Sequence, residues 1–324
     1  ADGDAGAVLL LQGQRRSAAL PFVGNTWAVN GFQNATDVAW SALAAGGSRL
    51  DAVEAGCSFC ERERCDGSVG YGGSPDEAGE TTLDAMIMDG ETMDVGSVSD
   101  LRWVRDAISV ARFVMNSTTH TMLAGESATD FAVQMGFTRA PLTTEASARM
   151  FDEWRAKNCQ PNYWKAGAVV PDPSAQCGPY RPRGPGEEAP PARGGGTDER
   201  LLPRSGPGNH DTIGMVVVDA DGRVASGTST NGASHKVHGR VGDSPIAGAG
   251  SYARKGDGAC GATGDGDQMM RLLPCYQAVE SMAAGKTPAD AASDAIARVV
   301  RFYPNFQGGI IVVNAEGEHA GACR

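Results

Sequence analysis

Thr212 stands where a long stretch rich in proline and glycine gives way to an apolar run, Thr-Ile-Gly-Met-Val-Val-Val, and His210 and Asp211 precede it directly. A hydroxyl, an imidazole and a carboxylate in a row suggest a hydrolase triad. Successive strand residues point to opposite faces, however, so three adjacent positions cannot assemble one. A free alcohol is a weak nucleophile and needs an activator. Cutting the Asp211–Thr212 bond would create one, because Thr212 would then carry an α-amino group beside its own hydroxyl. With a pKa of about 8, that amine can take a proton near neutral pH. A Pro/Gly-rich linker ending at Thr212 suits such a cut: the linker lets the new end move away, and the strand holds the hydroxyl in place.

The residues that follow offer further chemistry, each with a plainer reading beside it. Arg240 and Asp243 lie in His-Gly-Arg-Val-Gly-Asp at 238–243. Read alone, Arg240 suits a surface ion pair, and Asp243 before Ser-Pro suits a turn. Thr263-Gly264 fits a helix N-cap, and Trp27 fits a core position. Gly-Asp-Gly-Asp at 264–267 resembles part of a calcium loop, but the EF-hand spacing and its closing glutamate are missing. Cys57, Cys60 and Cys65 have no second Cys/His pair at zinc-finger spacing. No metal and no cofactor are therefore expected.

Elements that would position these residues can be read from the spacing. Phe22-Val23 leads as a buried strand into Asn25-Thr26-Trp27. Asn34 or Thr36 caps a helix through Ala45, and Ser48 caps a second that carries Cys57 and Cys60. Thr81 to Met88, an Asp89-Gly90 turn and Thr92 to Val95 form a hairpin. Helical patterns follow at 103–115, 127–135 and 144–157. From about 171 to 209 repeated prolines and Gly194-Gly195-Gly196 predict an exposed linker with no packed element. Thr212 to Asp219 and Arg223 to Thr228 form a second hairpin. Gly-rich loops then lead to a helix at 266–284, interrupted at Pro274, another at 288–303, and a closing hairpin at 308–314 and 318–322. The order predicts an α+β chain with two antiparallel sheets packed together and helices outside.

The 324 residues, 41% hydrophobic, suffice for one large core or two smaller ones. A net charge of −11 excludes a nucleic-acid partner or an anionic membrane surface. No apolar run reaches the ~20 residues of a membrane-spanning helix, and Ala7 to Leu11 is too short for a signal-peptide core. Eight cysteines and two sequons, at Asn34 and Asn116, together point to an oxidising compartment.

Taken together, these segments resemble glycosylasparaginases, a family of N-terminal nucleophile hydrolases, from about Val23 to Ala322. The carriers are Asn25-Thr26-Trp27, Asn34-Ala35-Thr36, Cys-Glu-Arg-Glu-Arg-Cys-Asp-Gly-Ser-Val-Gly at 60–70 and Gly-Gly-Ser-Pro-Asp-Glu at 72–77. Thr-Leu-Asp-Ala-Met-Ile-Met-Asp-Gly at 82–90, Gly-Glu-Ser-Ala-Thr at 125–129, Asn-Cys-Gln-Pro-Asn-Tyr-Trp at 158–164, the stretch 208–243 and Ala-Thr-Gly-Asp-Gly-Asp at 262–267 complete them. The resemblance implies a four-layer αββα sandwich forming one structural domain. It implies self-cleavage between Asp211 and Thr212 into subunits 1–211 and 212–324, assembled as a heterotetramer of two copies of each. The implied activity is hydrolysis of the amide joining N-acetylglucosamine to an asparagine whose α-amino and α-carboxyl groups are free, in a lysosomal or other secretory-pathway compartment.

Position by position, the resemblance makes Thr212 the nucleophile, Thr230 its supporting hydroxyl, and Thr263 and Gly264 the oxyanion hole. It makes Arg240 the clamp for the substrate α-carboxylate and Asp243 the partner of its α-ammonium. Trp27, Val241, Gly242, Asp265 and Gly266 line the remainder of the pocket. It pairs Cys60 with Cys65 and Cys159 with Cys177, leaves Cys57 a buried thiol, and leaves Cys260, Cys275 and Cys323 open. Two rivals stand beside it. One is the plant-type asparaginase and isoaspartyl-peptidase branch, which shares the nucleophile. The other is an uncleaved, inactive binding protein, which would require a lost nucleophile.

Overall fold

The computed structural model describes residues 9–11, 20–187 and 212–324. His210, Asp211 and the 188–209 part of the expected linker lie outside them. In chain order the elements are β1 (Leu9–Leu11), β2 (Phe22–Asn25), α1 (Asn30–Ala44), α2 (Arg49–Glu63), β3 (Leu83–Asp89), β4 (Val95–Leu101) and α3 (Ala107–Ser117). Then come β5 (Met122–Ala124), α4 (Gly125–Gln134), α5 (Glu145–Ala156), β6 (Val169–Val170) and β7 (Arg181–Pro182). After the undescribed segment follow β8 (Thr212–Val218), β9 (Val224–Thr230), β10 (Ser251–Arg254), β11 (Gly258–Gly264), α6 (Gly266–Leu272), α7 (Pro274–Ala283), α8 (Pro288–Phe302), β12 (Gly308–Val313) and β13 (His319–Cys323).

The chain is mixed α+β with two main sheets. One runs β2-β8-β9-β3-β4-β5 and the other β1-β13-β12-β11-β10. Both are antiparallel except for β5, which lies parallel to β4. All seven residues of β3, β8 and β9 are buried. That is why these strands carry continuous runs rather than an in–out alternation. β8 and β9 lie against β11 and β10, α2 packs on β8 and β9, and α7 and α8 pack on β11, β12 and β13. At the closest approach an added Cβ on Gly214 would stand 2.7 Å from Ala262 N and 2.8 Å from Ala262 O. Only glycine in β8 lets the two backbones come so near, and this contact brings the start of β8 alongside the end of β11.

Several sequence expectations need correction. α1 begins at Asn30 with Val29 at its N-cap, so Asn34 and Thr36 lie inside the helix and cap nothing. Thr36 instead uses its hydroxyl to accept from Asn25 Nδ2 at 2.6 Å, tying β2 to α1. β2 is an edge strand, half-buried rather than buried. Ser48 caps α2 as expected, in a reciprocal capping box with Asp51. Residues 171–187 are mostly exposed, yet they are not without structure. Val169 and Val170 pair with Pro182 and Arg181, and a Cys159–Cys177 bridge closes the loop. Two short strands and a disulfide thus order a stretch whose prolines argued against any element. The Gly-rich segment before α6 contains two full strands, β10 and β11. Gly258-Ala-Cys-Gly-Ala-Thr-Gly264 has Thr263 as its one β-branched residue, too few to mark a strand, and it is small because another sheet lies on it. Among the described residues no helix is long and apolar enough to cross a membrane.

Candidate active site

The site is built at the meeting of three strand ends. Thr212 opens β8 and pairs in register with Thr230, the last residue of β9. Asp84 near the start of β3 pairs with Thr230 from the other side. Both threonines are buried, and Thr212 Oγ1 donates to Thr230 Oγ1 at 2.9 Å. Thr230 Oγ1 also accepts from the backbone N–H of Gly232 at 2.9 Å. The carbonyl of Thr212 accepts from Trp27 Nε1 at 2.8 Å. Trp27 is held in turn, its N–H donating to Asn25 Oδ1 at 2.7 Å, and Thr26 bonds to both backbone groups of Gly214. A buried threonine held at its hydroxyl by Thr230 and at its carbonyl by Trp27 is an arrangement that suits a preorganised nucleophile.

The loop between β9 and β10 supplies the charges. Arg240 Nε and Nη2 donate to Asp267 Oδ2 at 3.2 and 2.7 Å. An added Cβ on Gly232 would stand 3.1 Å from Arg240 Nη1, so the guanidinium lies over the turn that follows Thr230. An added Cβ on Gly266 would stand 2.5 Å from Asp243 Oδ1 and 3.1 Å from Arg240 Nη2. Arg240 and Asp243 therefore converge beside Gly266, with Val241 and Gly242 between them. Asp243 is buried, and its Oδ2 has no hydrogen-bond partner. Burial pushes its carboxyl up to about 7; Arg240 opposes the rise, while Asp84 and Asp265 add to it. An unpartnered buried carboxylate beside a guanidinium fits a ligand carrying both an ammonium and a carboxylate.

Thr263 and Gly264 end β11, paired with Gly309 and Gly308. They are the end of a strand and not a helix cap. Gly264 has a φ of +139°, and an added Cβ there would meet Gly308 Cα at 2.4 Å. The cap of α6 is Asp265, whose side chain accepts from Gln268 N. The acidic loop at 264–267 thus splits into a helix cap and the partner of Arg240. Among the described residues no group of His, Cys, Asp and Glu could hold a metal ion.

Sequence reasoning missed Asp267, Asp84 and Lys236. Lys236 is 1% exposed and its Nζ donates to the carbonyl of Asn231 at 2.7 Å. His-Lys-Val-His-Gly-Arg reads as a solvated basic run, and nothing local marks one member as buried. The segment 74–77 is stitched to 234–238 by Ser234–Ser74, His235 N to Pro75 O, Glu77 N to Lys236 O and His238–Asp76. The Gly-Gly-Ser-Pro-Asp-Glu motif is therefore the buttress of the Arg240 loop.

Cys60–Cys65 and Cys159–Cys177 are bonded, and Cys57 is a buried free thiol. Cys260 and Cys275, left open by the sequence, are bonded to each other and tie β11 to α7, while Cys323 is free. Asn34 and Asn116 are exposed on α1 and α3. Three disulfides suit an oxidising compartment.

A family model described as Asparaginase matches residues 6–324. The chain is 53% identical over 309 residues to the mouse N(4)-(beta-N-acetylglucosaminyl)-L-asparaginase, covering 95% of this chain and 86% of that protein. The rat protein of the same name matches at the same identity and coverage. A putative N(4)-(beta-N-acetylglucosaminyl)-L-asparaginase of Drosophila melanogaster is 50% identical over 325 residues, 99% of this chain and 80% of that one. With a matching model over nearly the whole length and relatives at half identity, the chain belongs to the asparaginase family.

Proposed function

We propose that this protein is a glycosylasparaginase, an amidohydrolase that cleaves the bond between N-acetylglucosamine and the side-chain amide of asparagine. The observation that carries the reading is the Thr212–Thr230 pair set beside Arg240 and Asp243, in a chain 53% identical to enzymes named for that reaction. Maturation is a cut between Asp211 and Thr212, which gives subunits 1–211 and 212–324. The packing of β8 and β9 against β10 and β11, with α2 on one outer face and α7 and α8 on the other, supports a four-layer αββα sandwich of the N-terminal nucleophile type.

In the mature enzyme the Thr212 amine takes the hydroxyl proton, and Oγ1 attacks the side-chain carbonyl of the substrate. Thr263 Oγ1 and the Gly264 N–H face the oxyanion; losing one such donor costs ~10²–10³ in rate. The amine returns the proton to the leaving glycosylamine, and a β-aspartyl ester remains on Thr212. Water, deprotonated by the same amine, releases aspartate. Arg240 holds the α-carboxylate with its planar fork and Asp243 holds the α-ammonium. Trp27, Val241, Gly242, Asp265 and Gly266 complete the wall. Two copies of each subunit associate, and the enzyme works in glycoprotein breakdown in the lysosome, with glycans at Asn34 and Asn116. No cofactor enters the scheme.

Intact mass separates the cut from the uncut chain, and Thr212→Ala abolishes both cleavage and turnover. An uncut chain with full activity, or residual turnover in Thr212→Ala, would sink the assignment. Rates on glycosyl-asparagine, free asparagine and a β-aspartyl dipeptide separate it from the isoaspartyl-peptidase branch: the first substrate is turned over fastest.

A further inference from the structure

Lys236 is a fully buried cation that the reaction scheme leaves unused. Its ammonium donates to the carbonyl oxygen of Asn231 at 2.7 Å. The nitrogen of that same peptide unit belongs to Gly232, and its N–H donates to Thr230 Oγ1 at 2.9 Å. Thr230 Oγ1 is the atom that Thr212 Oγ1 touches at 2.9 Å. One peptide plane thus carries the lysine on its oxygen and the supporting threonine on its nitrogen. Hydrogen bonds in series polarise one another, so a cation on the carbonyl makes the N–H a stronger donor. The contacts also fix the turn mechanically. An added Cβ on Gly232 would stand 3.2 Å from Lys236 Nζ and 3.1 Å from Arg240 Nη1, so the lysine stem and the guanidinium enclose the turn.

The surroundings explain how a buried cation is kept there. Burial, with Arg240 alongside, pushes the ammonium below its ordinary value, while Asp84, Asp100 and Asp76 act in the opposite sense. Asp84 and Asp76 are themselves fully buried. Asp84 neighbours Thr230 across the β3–β9 ladder. These three carboxylates offset the cost of holding the ammonium out of water, so the charge persists at the turn.

We propose that Lys236 is a positioning residue for the nucleophile. Its charge, relayed through the Asn231–Gly232 peptide to Thr230 Oγ1, makes the Thr230 hydroxyl a stronger donor; that hydroxyl turns to donate to Thr212 Oγ1 as the latter's proton leaves for the amine, and so favours the deprotonated oxygen during attack. The inference rests on the reading of Thr212 as the nucleophile and adds a residue to that same site. The proton still passes from Thr212 Oγ1 to the Thr212 amine; Lys236 neither gains nor loses one.

The test compares wild-type enzyme with Lys236→Met, which keeps the stem and removes the charge, and Lys236→Gln, which keeps a donor without charge. Turnover of glycosyl-asparagine is measured per cleaved chain, with the cleaved fraction taken from intact mass. Both variants should lose roughly tenfold or more in kcat, a smaller effect than removing a direct oxyanion donor, while KM stays within about threefold. The acid limb of the kcat–pH profile should move to higher pH in both, because removing a nearby cation makes the Thr212 amine a stronger base. Wild-type kcat and an unmoved limb in either variant would overturn the proposal. Failure of both neutral variants to fold would also overturn it, since the residue would then serve stability alone. Failure of the underlying assignment looks different: wild-type enzyme would itself remain uncut or turn over no glycosyl-asparagine.

Discussion

Asp243 offers the sharpest test of how the substrate is chosen. Burial lifts its carboxyl to about 7, against the pull of Arg240 and with the help of Asp84 and Asp265. Its proposed partner is the substrate α-ammonium, which only the ionised form can pair. Two pH units below that value about one molecule in a hundred carries the charge, a deficit of about 2.7 kcal/mol. The value of kcat/KM reports the free enzyme, so the Asp243 titration alone should lower it about 100-fold for glycosyl-asparagine at pH 5 relative to the fully ionised acid. Other groups titrate in the same range, the Thr212 amine among them. The assay therefore uses a second substrate, the analogue in which hydrogen replaces the α-amino group. Both substrates share every proton at the nucleophile, so their kcat/KM ratio isolates Asp243. The ratio should drop about tenfold per unit below pH 7, and Asp243→Asn should make it flat. A ratio constant from pH 5 to pH 8 in the wild-type enzyme would refute the pairing.

Three further outcomes follow from the structure. Glu61 is fully buried under β9, its Oε1 accepting from Ser229 Oγ and Ile108 N, and burial raises its carboxyl to about 8. The folded state then holds a proton that the unfolded state releases above about 4.5. Stability should therefore fall as pH rises from about 4.5 to about 8, and thermal melts of Glu61→Gln should show a weaker pH dependence over that window. Cys260–Cys275 closes a separation of 15 residues. Replacing both with serine should cost about 3 kcal/mol of unfolding free energy in denaturant titrations. Asp267 holds Arg240 through two hydrogen bonds to one oxygen. Asp267→Asn should raise KM for glycosyl-asparagine roughly tenfold, with kcat little changed, and steady-state kinetics at fixed pH read this directly.

What the sequence discloses and what it hides divide along a physical line. Local signals are legible: the Ser48 cap of α2, the hairpin of β8 and β9, and Pro274 separating α6 from α7. Strands whose sides both lie against protein are harder to read. β11 is built from glycine, alanine, cysteine and threonine because β8 lies against it; the property that makes it a good neighbour erases its strand signature. The candidate site residues stand in separate motifs, and their union is not derivable from spacing. Thr212 and Thr230 meet because a hairpin register pairs them. Arg240 and Asp243 meet Gly266 because β11 returns from the other sheet. Lys236 was hidden altogether, since its burial depends on Asp76 and Asp84, more than 150 positions earlier in the chain.

The charge pattern of the pocket bears on which amides are excluded. Arg240 and Asp243 lie side by side with Asp243 Oδ2 unpartnered, and Arg240 already spends two donors on Asp267. Under the proposed assignment a free asparagine derivative brings a carboxylate and an ammonium that fill both places at once. An asparagine inside a peptide brings neutral amides instead and leaves a buried acid and a guanidinium half-satisfied. Polar groups left unpaired in a buried site are a strong means of rejection, worth more than a missing methylene in an apolar pocket. Asp267 holds the guanidinium through Nε and Nη2, and the buttress from 74–77 fixes the loop that carries both Arg240 and Asp243. Under that assignment, selectivity for an asparagine with both termini free resides in the residues that touch Arg240 and Asp243 as much as in those two themselves.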